Sequence, residues 1–324
     1  MPVEGFMLRS IFLLTLVSLF SGPLRAIVVA SGDPNSSSVV VAYNQIVGGV
    51  NLNGVVEIAT SGGIGCSGSL LSDGYSILTA GHCVTSSYGS SVPSYVDVYF
   101  PGPSGSVEYT ATTYYVDPGW TGDSTQGNDL AIVRLSQAAP SSAVGYSLYT
   151  GMFTNSPILL AGYGQTGTGT TGATGGFGTL RQGHNRYDID GSAEGWAANM
   201  LLGDFDNGTT ANNALGSTDS DIPDEVDLGW GDSGGPSFYN GKIIGVHDLT
   251  GCESLNSSEP CTVPPSVSTV NDSYFGQVFV DTGVAAGASW IESEEVPEPA
   301  SCSLVLLGLA VVGFSMRRTG RRTS

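Results

Sequence analysis

Between residues 46 and 140, short apolar runs alternate with polar positions and stop at glycine: "VVEIAT", "SGSLLS", "YSILTA", "SYVDVYF", "EYTATTYYV" and "DLAIVRL". Residues 157–291 repeat the habit in "PILLAGYG", "GPSFY", "KIIGVHDL" and "GQVFVDT". Runs of this length, rich in Val, Ile, Tyr and Thr, fit strands, and the turn residues between them argue for an all-β sandwich or barrel. A helical period emerges only near the end of the body, predicting one helix over Val284–Glu294. The Gly/Thr-rich stretch from Gly162 to Leu180 reads as a long, flexible surface loop. Two β-rich halves are visible, 46–140 and 141–295, without a convincing internal repeat.

The two ends carry other patterns. Met1 to Ala26 holds Arg9, the apolar run Ile11 to Phe20, and then Ser21, Gly22 and Ala26. This is the layout of a secretory signal peptide (1–26) cut after Ala26, and its apolar run is too short to span a membrane comfortably. At the other end "VPEPAS" precedes the apolar run Leu304 to Phe314 and the basic "RRTGRR". That segment, 296–324, resembles the bacterial PEP-CTERM sorting signal, which implies processing by an exosortase-like enzyme and transient membrane association. A plain anchor with its basic end inside is the alternative. Either reading, with signal peptidase acting at the front, exports the body to the cell envelope or beyond in a bacterium.

Charge sharpens the division. The chain has 324 residues and a formal net charge of −19, with ten Lys and Arg against 29 Asp and Glu. Only Arg134, Arg181, Arg186 and Lys242 belong to the body, so it is strongly acidic and nucleic acid is excluded as a partner. Five cysteines suit an exported protein with one or two disulfides and one left over. Cys66 and Cys83 bracket the first chemical motif, Cys252 and Cys261 could close a short local loop, and Cys302 lies in the tail.

Three histidines are available to the body. His82 ends an apolar strand in "ILTAGHC", His184 in "RQGHNR" reads as solvated, and His247 follows an apolar strand as a wall residue. Asp129 opens the strand "DLAIVRL" and, if buried, could fix the tautomer of an imidazole and stabilise its protonated form. Ser233 stands in "GDSGGP". A serine hydroxyl needs a base within hydrogen-bond reach, and the oxyanion it makes needs preorganised donors. Glycines at 231 and 234 let the backbone turn so that the amides of Gly231 and Ser233 point at one spot.

Taken in order, "CSGSLLS", "LTAGHC", "NDLAIVRL", "AGYGQT", "GDSGGP" and "VFVDTGVAAGASWIES" make the chain resemble the chymotrypsin/trypsin-like serine endopeptidases over most of its body. The resemblance implies two six-stranded antiparallel Greek-key barrels with a short C-terminal helix, and no cofactor or metal. It implies a Cys66–Cys83 disulfide. His82 becomes general base and acid, Asp129 its orienter and Ser233 the nucleophile that forms an acyl-enzyme on a protein or peptide substrate. Gly231 and Ser233 supply the oxyanion hole. "IVGG" at Ile46 looks like the mature N-terminus, whose new ammonium would pair with Asp232 once a pro-segment over 27–45 is removed. Gln45 is no site for a trypsin-like activator, whereas signal peptidase would expose Ile27 directly. The spacing to Cys66 favours Ile46.

Asp227, six residues before the nucleophile, stands where trypsin-like members hold a carboxylate for a Lys or Arg side chain. It also belongs to an acidic run with Asp219, Asp221, Asp224 and Glu225; Gly229 replaces a pocket cysteine, and "HDLTG" replaces the usual Ser-Trp-Gly strand. "GDFDNGTTANN" clusters calcium-type ligands, but its spacing matches no EF-hand loop, and it reads as a solvated turn. Sequons at Asn207 and Asn256 carry little weight. The rival to a protease is an inert surface or matrix binding protein with the same fold, or an esterase using the same triad.

Overall fold

The structure is a computed structural model that describes residues 27–296 apart from 64, 86–91, 153–154, 211, 217–221, 223 and 252–272. The signal-like segment, Cys252, Cys261, Asn256 and the tail beyond Val296 lie outside the described residues.

The front half supplies β1 (Ile27–Val29), β2 (Ile46–Val47), β3 (Val50–Asn51), β4 (Val55–Thr60), β5 (Gly65–Leu70), β6 (Ser76–Thr79), β7 (Val96–Phe100), β8 (Val107–Ala111), β9 (Thr113–Val116) and β10 (Ala131–Arg134). The back half supplies β11 (Ile158–Gly162), β12 (Thr166–Thr168), β13 (Gly172–Ala173), β14 (Arg181–Asn185), β15 (Ile189–Asp190), β16 (Met200–Phe205), β17 (Val226–Asp227), β18 (Pro236–Tyr239), β19 (Lys242–Gly251) and β20 (Gln277–Gly283), then α1 (Val284–Glu294). The helix occupies the predicted range.

Two sheets dominate, in the orders β8-β7-β4-β5-β6-β10-β9 and β14-β11-β18-β19-β20-β16-β15. Each counts seven strands where six were expected, and the chain explains the difference. β8 and β9 are consecutive, broken only at Thr112, and they pair with β7 at one edge and β10 at the other. One bent segment therefore closes the sheet on itself. β14 and β15 do the same for the second sheet through β11 and β16. Closure removes exposed edges, and the alternation of buried and half-exposed positions in β7 ("VDVYF") is what a strand with one inward face requires.

The Gly162–Leu180 stretch is not a free surface loop. It folds into the hairpin β12–β13, and β12 pairs in parallel with β1. β1 also pairs with β17 and buries Ile27, Val28 and Val29. A sequence reading confined to local pattern could not see this, because the strand partner comes from more than a hundred residues away.

Candidate active site

His82 sits in the short 3₁₀ turn Gly81–Cys83 that terminates β6, and Asp129 enters just before β10, the strand paired with β6. The pairing of these two strands places both residues at one end of the first barrel. The Asp129 carboxylate takes both hydrogen bonds that His82 can offer on that side: backbone N to Oδ1 at 2.7 Å and Nδ1 to Oδ2 at 2.5 Å. His82 is 5% exposed and Asp129 fully buried. A carboxylate held this way fixes which ring nitrogen carries the proton and leaves Nε2 as the base.

Ser233 is brought to the same place by the first barrel. The Ser67 amide of β5 donates to Ser233 O at 2.8 Å, and its hydroxyl donates to Gly231 O at 3.0 Å. Cys66, the residue before it, is disulfide-bonded to Cys83, the residue after His82. One covalent link therefore joins the histidine turn to the clamp on the nucleophile loop. A β-carbon on Gly234 would lie 2.1 Å from Thr79 Oγ1 and 2.9 Å from Ala80 N, so the loop rests directly on the strand end leading to His82. Gly231 and Gly234 adopt φ of +97° and +81°, which other residues rarely tolerate. Among the described residues neither the Gly231 nor the Ser233 amide donates to a protein acceptor. Both remain free to meet an anionic oxygen.

Asp232, next to Ser233, turns its carboxylate into the second barrel. Its carboxylate accepts from the Gly164 amide at 2.8 Å and the Gly229 amide at 2.7 Å, and from the Ile27 amide as well. Burial raises its carboxyl above the ordinary range, opposed by those amides and by nearby His247. The structure does not bring Ile46 to Asp232: Ile46 is 66% exposed, whereas Ile27 is fully buried. Residues 27–45 are packed onto the second barrel. Ile27 and Val29 belong to a core cluster of the second barrel. Buried Arg181 holds Pro34 O and Asn35 Oδ1 at 2.8 and 2.9 Å, and the Gln182 amide donates to Val39 O.

Asp227 is fully buried, bonded to its own neighbour's amide (Leu228 N, 2.7 Å) and to the Thr250 hydroxyl. Burial pushes its carboxyl up to about 7. It is thus no solvated member of the acidic run. Gly229 stands where a cysteine was expected, and a β-carbon there would lie 2.0 Å from Gln165 O, which leaves no room for a cystine.

The sequence reading missed two carboxylates. Asp281 binds His247 Nδ1 at 2.9 Å and accepts from Tyr187 and Ser237, forming a second buried histidine–aspartate pair behind the loop. Asp248 lies beside the His82–Asp129 pair, with one ligand-type atom each from His82, Asp129 and Asp248 within 4.8 Å of one another. That trio does not form a metal site, because the 2.5 Å contact between His82 and Asp129 is a direct hydrogen bond with no space for an ion. Asp281 lies within "VFVDTGVAAGASWIES" and Asp248 within "HDLTG", but neither carboxylate was singled out, because an acidic residue at the end of an apolar run reads as a strand end. The "GDFDNGTTANN" stretch mixes the two possibilities: Asp204 and Asp206 are buried, while Asn207 is exposed.

Two closed β-barrels with a buried His–Asp pair facing a glycine-hinged serine loop define the class of two-barrel serine hydrolases. The Trypsin family model matches residues 46–272, well over half of the chain, and the chain belongs to the trypsin family of serine peptidases. The PEP-CTERM protein-sorting motif matches residues 295–322 and indicates export with cell-envelope association in a bacterium. A search of curated proteins finds no match. Among the described residues no helix is long and apolar enough to cross a membrane.

Proposed function

We propose that this chain is an exported serine endopeptidase acting through an acyl-enzyme on Ser233. The observation that carries the reading is the 2.5 Å bond between His82 Nδ1 and Asp129 Oδ2 beside the clamped Ser233 loop. His82 Nε2 takes the hydroxyl proton as Ser233 Oγ attacks the scissile carbonyl. The resulting oxyanion is received by the amides of Gly231 and Ser233. Nε2 then returns the proton to the leaving amine, and water repeats the sequence to release the acyl group.

Asp227 supports a preference for Lys or Arg before the scissile bond. A guanidinium entering a buried site would find an otherwise uncompensated carboxyl and would stabilise its ionised form.

For maturation, the contacts favour Ile27 over Ile46. An ammonium at Ile27 would inherit the amide contact with Asp232 and neutralise a carboxylate that burial disfavours. Ile27 also has φ of +59°, unusual for a β-branched residue and a strain of about 1–3 kcal/mol. Cleavage after Ala26 removes the peptide bond that defines this dihedral. Signal peptidase alone would then complete the site, and an exosortase-like enzyme would act on the tail.

Wild-type enzyme should hydrolyse peptides and Ser233→Ala should not; hydrolysis surviving in Ser233→Ala would refute the assignment. Intact-mass analysis of the active form should place its first residue at Ile27, and a start at Ile46 would overturn the maturation reading.

A further inference from the structure

Asp248 is the residue in this site whose chemistry is unaccounted for. It lies in β19 at a bulge: His247 pairs with Asp281 and Leu249 with the adjacent Val280, so Asp248 is the extra residue between them. Bulges commonly re-aim a side chain beside an active site. Here the bulge delivers a carboxyl, 3% exposed, to the back of the catalytic pair. Asp248 is bonded to Asp129, with Ser124 and Thr282 as further partners, the last at 3.3 Å. Its Oδ1 receives no donor from the described residues.

Two buried carboxylates in contact repel unless a proton lies between them. Asp129 cannot supply it, since both of its oxygens already accept from His82. The titratable groups nearest Asp248 are Asp129 and His82. His247 of its own strand and Asp281 of β20 are bonded to each other, Ser237 of β18 is bonded to Asp281, and α1 turns Val284, Ala288 and Ile291 inward. Among the described residues the bases in this group are the imidazoles of His82 and His247, each already bonded to its own carboxylate, Asp129 and Asp281, so neither balances a second negative charge on Asp248.

We propose that Asp248 is a positioning residue that stays protonated and donates its proton to Asp129, holding that carboxylate in the orientation His82 needs. The proposal rests on the peptidase reading for its catalytic consequence, but the carboxyl pair exists independently of turnover. Burial and the Asp129 charge both push the Asp248 carboxyl well above its ordinary value, in the required direction. Asn at this position would keep a donor and could never ionise. Ala would remove the donor and leave Asp129 free to turn.

The test has two readouts on the processed wild-type enzyme and its variants. The infrared difference spectrum of wild type minus Asp248→Asn at neutral pH should show a protonated-carboxyl band. Asp204 and Asp227, whose carboxyls also rise to about 7, are common to both proteins and cancel. Peptide kinetics should show Asp248→Ala losing about 10²-fold in kcat with little change in KM, the scale of a misplaced catalytic group. Asp248→Asn should recover most of that loss, and it should lack the alkaline decline that wild type shows as Asp248 ionises. Absence of the band would overturn the proposal, as would equal loss in Ala and Asn. If the band is present while wild type hydrolyses no peptide, the proton-sharing pair stands and the peptidase reading falls.

Discussion

The juxtaposition of His82, Asp129 and the Ser233 loop was legible in the sequence because the proposed chemistry restricts the residue types: a base, its orienter and a hydroxyl on a glycine-hinged turn leave few substitutes. Their roles make sharp demands. Asp129→Asn should lower kcat by about 10⁴-fold with the fold intact, since an amide favours the wrong imidazole tautomer. Circular dichroism with kinetics checks this, and a loss below tenfold would deny Asp129 its role. Asp227 gives a pH signature. Burial raises its carboxyl to about 7, so it is neutral below that pH and charged above it. The kcat/KM ratio of an Arg to a Phe peptide should therefore climb as pH rises from about 6 to 8, while effects common to both peptides cancel. A flat ratio would dismiss the Lys/Arg preference. Asp248 escaped notice because a lone carboxylate after an apolar strand looks like a strand end; only the bulge in β19 aims it inward.

Strand β1 shows where local pattern misleads. Ile46-Val-Gly-Gly carries the better motif, yet Ile27-Val-Val fills the groove between β12 and β17. Three apolar residues after a signal-like segment give no hint of this, because the partners lie far along the chain. The same ignorance made the β12–β13 hairpin look like loose loop. If β1 is structural, deleting residues 27–45 should unfold the second barrel rather than activate it. Ile27→Ala should cost about 2–5 kcal/mol, the usual range for truncating a buried aliphatic side chain. Chemical denaturation measures it, and a loss under 1 kcal/mol would argue against an inserted β1.

Barrel closure was predictable in kind but not in detail, since the sequence cannot show that one bent segment serves both edges of a sheet. Acidity was plain, but its burial was not. Burial pushes Asp204 up to about 7, aided by the charges of Asp188 and Asp206. A carboxyl raised on folding from its ordinary 3.8 binds its proton more tightly in the folded state. Its contribution is therefore present at low pH and lost as pH climbs from about 4 to 7. Thermal melts should show higher stability at pH 5 than at pH 8, a trend the net charge of −19 reinforces. Asp204→Asn should flatten that slope, and an unchanged slope would place the effect elsewhere. The most direct trial of the catalytic arrangement is to treat the processed protein with a fluorophosphonate and map the adduct by mass spectrometry. One adduct on Ser233, lost in His82→Ala, is the expected result; no adduct on Ser233 in the wild type, or equal modification without the imidazole, would contradict it.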